Sequence, residues 1–239
     1  MTDVASPNTT TVDLATSSVR SLNTALHAAT SGSFVVTNPQ GAHAVAAGIN
    51  APLDVRVDGS VGYYCAGMHQ HGTVTVDGNA STGLAENMMS GTVRITGNAT
   101  MSAGATGVGG LLVVQGNAGA RCGISMKGID IVVGGDIGHM SAFMAQAGRL
   151  VVLGDAADDL GDSIYEAEVY VRGAVASLGS DCEEKPMEAE HVAAVAELLA
   201  AAGLDAEPAS FRRYGSARRL YSFHVDDIDA EIAARETDR

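Results

Sequence analysis

The chain has 239 residues, with 28 Asp and Glu against 14 Lys and Arg, a formal net charge of −14. That balance argues against a nucleic-acid-binding module, which needs a basic face for phosphate, and no apolar run approaches the ~20 residues of a membrane-spanning helix. Hydrophobic residues make up 46%, ample for a core, yet aromatics are only 4% and glycines number 29, so small residues packed in a repeating frame are expected.

In chain order, Met1 to Thr16 shows neither a basic n-region nor an apolar h-region, so no secretory leader is expected. From about Asp13 to Ala29, the residues Leu14, Leu22, Leu26 and Ala29 recur at helical spacing and Ser31-Gly32 ends the run; this predicts a helix that caps the N-terminal end. Phe34 to Val36 reads as a strand and Asn38-Pro39-Gln40-Gly41 as a turn, the irregular start of a first coil. Residues 1–33 are thus a tail and capping helix, 34–181 the main body, and 182–239 a C-terminal helix and basic tail.

The body keeps a 19-residue period. Gly59, Gly78, Gly97, Gly116, Gly135, Gly154 and Gly173 are spaced by 19 at every step, and Ser60, Asn79, Asn98, Asn117, Asp136, Asp155 and Ala174 follow them. Four residues before each glycine stand Val55, Val74, Val93, Leu112, Ile131, Leu150 and Val169; two before stand Val57, Val76, Ile95, Val114, Val133, Val152 and Val171. Apolar alternation with β-branched residues means a strand facing a core. One strand per 19 residues in constant phase predicts a right-handed, single-stranded parallel β-helix of about seven turns, its body ~34 Å long at ~4.8 Å per turn. A left-handed hexapeptide helix needs apolar residues every six positions, and a β-sandwich does not hold a fixed 19-residue phase. Gly followed by Asn or Asp predicts corners with positive φ, where stacked asparagines pass hydrogen bonds from turn to turn. Gly72, Gly91, Gly110 and Gly148 mark a second corner, and Met68, Met88, Met126 and Met144 are expected in the interior. The outward column between the two core positions runs Arg56, Thr75, Arg94, Val113, Val132, Val151, Tyr170. Its second half is apolar and requires a cover.

Beyond Ser180 the period stops. Pro186 precedes a helix from about Glu188 to Ala202, whose Val192, Val195, Ala196 and Leu199 face is a candidate for that cover, with Gly203 as its stop. Arg212, Arg213, Arg218 and Arg219 then lie within eight residues, accompanied by Tyr214 and Tyr221. Two readings stay open for this segment: a strap held against the protein's own carboxylates, or a contact for a partner subunit.

Candidate reactive groups are sparse. Cys65 and Cys122 share one phase three turns apart, ~14 Å by rung spacing, too far for a disulfide. With Cys182 they form no CxxC pair for zinc or an iron–sulfur cluster, and reduced cysteines fit a cytoplasmic protein. His69 and His71 lack a third ligand. Asp155, Asp158, Asp159, Asp162 and Glu166 read either as a solvated corner or as the acid cluster of a carbohydrate-active β-helix. Gly104, Gly107, Gly109 and Gly110 lack the strand-to-helix context of a phosphate loop. No catalytic, cofactor-binding or metal-ligating residue is assigned to this chain.

The repeats Gly78-Asn79-Ala80, Gly97-Asn98-Ala99 and Gly116-Asn117-Ala118-Gly119, each after a Val/Ile strand, resemble the glycine-motif β-helix at the C-terminus of the glutamate synthase large subunit. The resemblance is closer to the free-standing form of that domain in N-methylglutamate synthase and related glutamate-synthase-like complexes. Val19-Arg20-Ser21-Leu22-Asn23, Asn38-Pro39-Gln40-Gly41-Ala42-His43 and Arg213-Tyr214-Gly215-Ser216-Ala217-Arg218 carry it beyond the repeats, over roughly residues 12 to 225. Met101-Ser102-Ala103 departs from the larger enzyme's pattern, which has a Gly-Asp-type corner there. The resemblance implies a cytoplasmic scaffold subunit in a hetero-oligomer with an amidotransferase-like subunit and a synthase subunit bearing FMN and an iron–sulfur cluster. A formylmethanofuran-dehydrogenase-like complex uses a related β-helix and is the alternative, followed by a stand-alone carbohydrate-active β-helix.

Overall fold

A computed structural model describes residues 9–219. Nine parallel strands stack in chain order: β1 (Thr9–Asp13), β2 (Gly32–Thr37), β3 (Leu53–Asp58), β4 (Thr73–Val76), β5 (Thr92–Ile95), β6 (Leu111–Val114), β7 (Lys127–Val133), β8 (Ala147–Val152) and β9 (Glu168–Val171). The result is a parallel β-solenoid of about seven regular turns. Pairing from β3 to β9 holds the 19-residue register, so Arg56, Thr75, Arg94, Val113, Val132, Val151 and Tyr170 form one ladder. An irregularity in β7 between Lys127 and Asp130 absorbs the glycine that falls at Gly128 instead of in the second glycine column. The strand residues at both core positions are fully buried, for example Val74, Val76, Val93 and Ile95. A second, one-residue-wide parallel ladder runs Val61, Ala80, Ala99, Ala118, Ile137, Ala156, Val175.

The third side of each turn is a stretch in which every second residue has positive φ: Tyr64, Ala66 and Met68 in one turn, Gly83, Ala85 and Asn87 in the next, Ser102, Gly104 and Thr106 in the one after. A left-handed residue with a Cβ costs about 1–2 kcal/mol in isolation. Here the amides point alternately to the turn before and the turn after, as Ala85 N–H donates to Cys65 O (2.9 Å) and Asn87 N–H to Ala105 O (2.9 Å). Each strained residue is thus held by hydrogen bonds to a neighbouring turn. Because side chains alternate along this side, one residue of offset reverses their direction. Met88 and Met126 sit ten residues after their corner glycines and are fully buried, whereas Met68 and Met144 sit nine after and are exposed. The expectation of four interior methionines therefore holds for two.

The first glycine column needs glycine for a reason other than the one expected. Gly59 has φ +130°, but Gly78, Gly97, Gly116, Gly135, Gly154 and Gly173 do not have positive φ. Their constraint is closeness: a Cβ on Gly97 would stand 2.5 Å from Asn79 Oδ1 and 2.7 Å from Gly78 O. The backbone itself stacks here, with Gly97 N–H donating to Gly78 O (3.0 Å) and the same bond repeated up to Gly173. Beside it runs the expected polar ladder. Asn98 N–H donates to Asn79 Oδ1 (2.8 Å), Asn117 N–H to Asn98 Oδ1 (2.8 Å), Asp136 N–H to Asn117 Oδ1 (2.9 Å), and Asp155 N–H to Asp136 Oδ1 (2.8 Å). A carboxylate serves as well as an amide, since the ladder asks only for an acceptor. The second column, Gly72, Gly91, Gly110 and Gly148, does have positive φ, from +79° to +100°.

The two ends differ from the sequence reading in detail. The sheet begins at Thr9, not after the first helix. The β-branched run Thr9 to Val12 pairs in parallel with β2, and Asp13 Oδ1 then accepts from Ala15 N–H (3.0 Å) in a turn. The helix α1 is Val19–Ala28, capped by Ser18, whose hydroxyl accepts from Ser21 N–H (3.1 Å). Its Leu22 and Leu26 are buried in the solenoid core, while Leu14 packs on that core from outside the helix. At the far end, β11 (Arg212–Ser216) pairs antiparallel with β9, and β10 (Cys182–Lys185) pairs antiparallel with β11. The helix α2 (Ala189–Ala202) lies across the flank of the sheet. There Val195, Leu198, Leu199 and Ala202, with Phe211, bury Val113, Val132, Val151 and Tyr170. The valine column has its expected cover, on a face turned slightly from the expected one: Leu198 and Ala202 replace Val192 and Ala196. Gly203 closes α2 in the left-handed conformation, φ +71°.

Candidate functional site

The basic tail is a strap. Arg213 pairs with Glu168 (2.9 Å) and also donates to Pro186 O, and Arg218 pairs with Glu166 (2.9 Å). Arg212 donates to Gly173 O (2.7 Å) and lies 5.9 Å from the Tyr214 ring. Tyr214 is itself buried against the main core, so it belongs to the fold. Arg219 is exposed, with its N–H donating to Asp181 Oδ1 (2.8 Å). Tyr221 lies outside the described residues. Of the six residues assigned to a subunit contact, Arg212, Arg213, Tyr214 and Arg218 make side-chain contacts within the chain, and the side chains of Arg212, Arg218 and Arg219 also reach the surface.

Glu168 is the node of this end, and residue-by-residue reading missed it. Tyr170 OH donates to its Oε2 (2.9 Å), Arg213 to its Oε1, and His191 of α2 stands 3.6 Å away. Burial raises the Tyr170 pKa, keeping the phenol a donor. The signal was present in the period: Asp130, Arg149 and Glu168 are register neighbours of alternating charge. Arg149 grips Asp130 through two bonds (2.8 and 2.6 Å) and reaches Glu197 of α2 (3.6 Å). Arg94, in the wet half of the outward column, binds the last turn of α2 by donating to Ala202 O (2.9 Å) and Ala201 O (2.6 Å). A cation on those terminal carbonyls complements the helix dipole. Between the strap and β9 lies a polar recess of about 260 Å³ lined by Glu166, Glu168, Lys185, Arg213 and Arg218. Its cations are matched by carboxylates: Lys185 pairs with Glu183 (2.6 Å), and the two arginines with the two glutamates.

The remaining candidates do not converge. Cys65 and Cys122 are fully buried, and burial pushes both thiols up to about 12. Cys182 is free as well, at about 12 through burial and the nearby Asp181 and Glu183. His69 is buried, with Nε2 3.1 Å from Gly72 O and Nδ1 unpartnered, and burial lowers its pKa; His71 is exposed. Asp155 accepts from Ala174 N–H (2.7 Å), Asp162 from Ser163 Oγ (2.7 Å) and Ser180 N–H (3.3 Å), and Asp158 from Ser177 Oγ (3.3 Å). These acids thus satisfy their own corners. Gly104 and Gly107 face the core, where a Cβ would meet Ile131 and Ile129. Among the described residues, no group of three or more His, Cys, Asp or Glu is placed to hold a metal ion, and no helix is long and apolar enough to cross a membrane.

Fold and surface together define a parallel β-solenoid with three long faces, one of them covered by its own helix, and an end tied down by an antiparallel strap. No protein-family profile matches the chain. It is 62% identical over 224 residues to Protein GlxC of Rhizobium meliloti (strain 1021), an alignment that takes in 92% of this chain and 98% of that protein. The chain belongs to the family of Protein GlxC.

Proposed function

We propose that the protein is a scaffold subunit of a multi-subunit, glutamate-synthase-like enzyme of the N-methylglutamate synthase or glutamine-dependent glutamate synthase type. In this reading it holds an amidotransferase-like subunit and a synthase subunit together in the cytoplasm. FMN and an iron–sulfur cluster reside in the synthase subunit, and this chain supplies geometry. The observation that carries the reading is the in-register stack from β3 to β9, built on the same glycine–asparagine column that resembles the glutamate synthase β-helix. Such a stack keeps its faces at fixed spacing over ~34 Å, which suits a post between two other subunits. The 62% identity to Protein GlxC, over 92% of this chain and 98% of that protein, supports a role shared by the two chains.

The test is reconstitution. The chain is expected to co-purify with the flavin subunit and the amidotransferase-like subunit, and to restore the flavin subunit's glutamine-, amine- or glutamate-dependent turnover. If it binds neither and restores nothing, the reading is wrong.

A further inference from the structure

The side of the solenoid built from left-handed residues is a largely apolar wall with few charges. All seven large hydrophobic side chains that are exposed among the described residues stand on it, each between 39% and 51% exposed. They fall in register: Tyr63 and Met101 share one column, Met68 and Met144 another, Met89 and Val108 a third, and Tyr64 stands beside the first. Residues 62–71, 81–90, 100–109, 119–128 and 138–147 form its five tiers and contain one acid, Glu86, and two bases, Arg121 and Lys127. The sixth tier, 157–166, changes abruptly: Asp158 and Asp159 are both exposed. At the opposite end, a largely apolar recess of about 340 Å³ opens between Ala44, Ala47, Tyr64 and Met68.

We propose that this wall docks a separate folded protein, whose contact surface is apolar and uncharged with Lys or Arg along the border lying over Asp158 and Asp159. The proposal rests on the scaffold reading above and names the face and the chemistry of one of its partners. Six tiers at ~4.8 Å by roughly 25 Å of chain give ~700 Å², close to the ~800 Å² each partner contributes to a standard interface. The wall is preorganised, since its backbone is bonded to the turns on both sides, and ordering it on binding costs little. Charge decides against the other occupants. A second copy placed antiparallel sets Asp158 and Asp159 against the tier of Tyr63 and Met68, which contains no Lys or Arg; placed parallel, it sets acid on acid. The chain's own residues 220–239 carry six acids against two arginines, a net charge of the same sign as that border.

The experiment uses the full chain with the amidotransferase-like and synthase-like subunits, each titrated separately. Met89→Glu with Val108→Glu buries two carboxylates in the contact and is expected to weaken one subunit about 100-fold while the other still binds. Retained binding of the second subunit, with an unchanged melting temperature, shows that the variant folds. Asp158→Asn with Asp159→Asn is expected to slow association of the same subunit and flatten its salt dependence; Asn suits the left-handed φ of +60° at position 159. On the unmodified chain, the same subunit is expected to slow amide exchange across residues 81–109, a readout that needs no variant. Both subunits binding the Glu variant as tightly as the native chain, with no slowed exchange, overturns the proposal. So does an isolated chain that dimerises and becomes monomeric in the Glu variant, which would give the wall to a second copy. If neither subunit binds the unmodified chain, the scaffold reading is what fails, and the identity of this occupant fails with it.

Discussion

Replacing Gly97 by Ala tests whether the corner glycines are there for space. The added Cβ meets Asn79 Oδ1 at 2.5 Å and Gly78 O at 2.7 Å, against ~3.4 Å for ordinary contact, so two turns must part by ~0.7–0.9 Å. That opening takes the Gly97 N–H···Gly78 O bond (3.0 Å) and the Asn98 N–H···Asn79 Oδ1 bond (2.8 Å) out of range. Two bonds at ~1 kcal/mol each, with ~1–3 kcal/mol of overpacking, give roughly 4 kcal/mol. For a chain of this size that is ~8–16 °C in melting temperature. The control is Gly203→Ala at the end of α2, where φ is +71° but no atom lies within 4 Å of the new Cβ. Only backbone strain applies there, about 1 kcal/mol. Calorimetric melts of both variants decide it: equal losses would refute the argument from close approach.

Three further outcomes follow from named contacts. Ile95→Ala empties a fully buried core position shared by neighbouring turns and should lose about 2–5 kcal/mol in urea melts; a loss below 1 kcal/mol would mean the turns do not support one another there. His69→Met removes the unpartnered Nδ1 and places at this depth the residue found in the same column as Met88 and Met126, so it should stabilise by about 1–2 kcal/mol at pH 8. Burial lowers the His69 pKa below its unfolded value of 6.5, so its contribution is intact above pH ~6.5. That contribution fades on acidification, by up to ~1.4 kcal/mol per pH unit until the folded pKa is passed. The variant's advantage should therefore widen from pH 8 to pH 5, and a constant gap would contradict this. Arg94→Gln uncaps the α2 carbonyls and should lose about 1–3 kcal/mol, read as earlier proteolysis after Gly203; unchanged proteolysis would show that the guanidinium does not hold the helix.

The strand columns were legible because parallel in-register stacking makes sequence period and spatial neighbourhood the same thing. Once Val55, Val74 and Val93 share a phase, they touch, and the apolar run from Val113 to Tyr170 demands a cover, which α2 supplies. What escaped was whatever the period does not encode. Phase gives no φ, so the Gly78-to-Gly173 column looked like a turn requirement when it is a spacing requirement. Helical spacing around Leu14 outweighed the β-branched run Thr9 to Val12, because an edge strand offers only one partner and little pattern. The left-handed residues at Tyr64, Ala66, Ala85 and Asn87 carry no glycine signature. Hydrogen bonds to adjacent turns hold their strain, and such bonds exist only once the coil is built. That hidden conformation is also why Met68 and Met144 were placed on the wrong side of the wall by a single residue of offset.

The tail shows how the same cations can be read two ways until geometry assigns them. Clustered arginines in an acidic chain suit a partner as well as a strap, and only the register of β11 on β9 decides. It puts Arg213 opposite Tyr170 and within reach of Glu168, so that cation is spent on closing the end of the stack. Arg218 is held by Glu166 at 64% and 58% side-chain exposure, where an ion pair is worth little and exchange for a partner's carboxylate is inexpensive. The division of labour along the molecule follows from this. Interactions with high internal stakes, Arg149 with Asp130 and Arg213 with Glu168, secure α2 and the strap on the sheet flank. The wall of left-handed residues exposes Tyr63, Met68, Met89 and Met101 with few charges beside them, so covering it would cost little desolvation of charge.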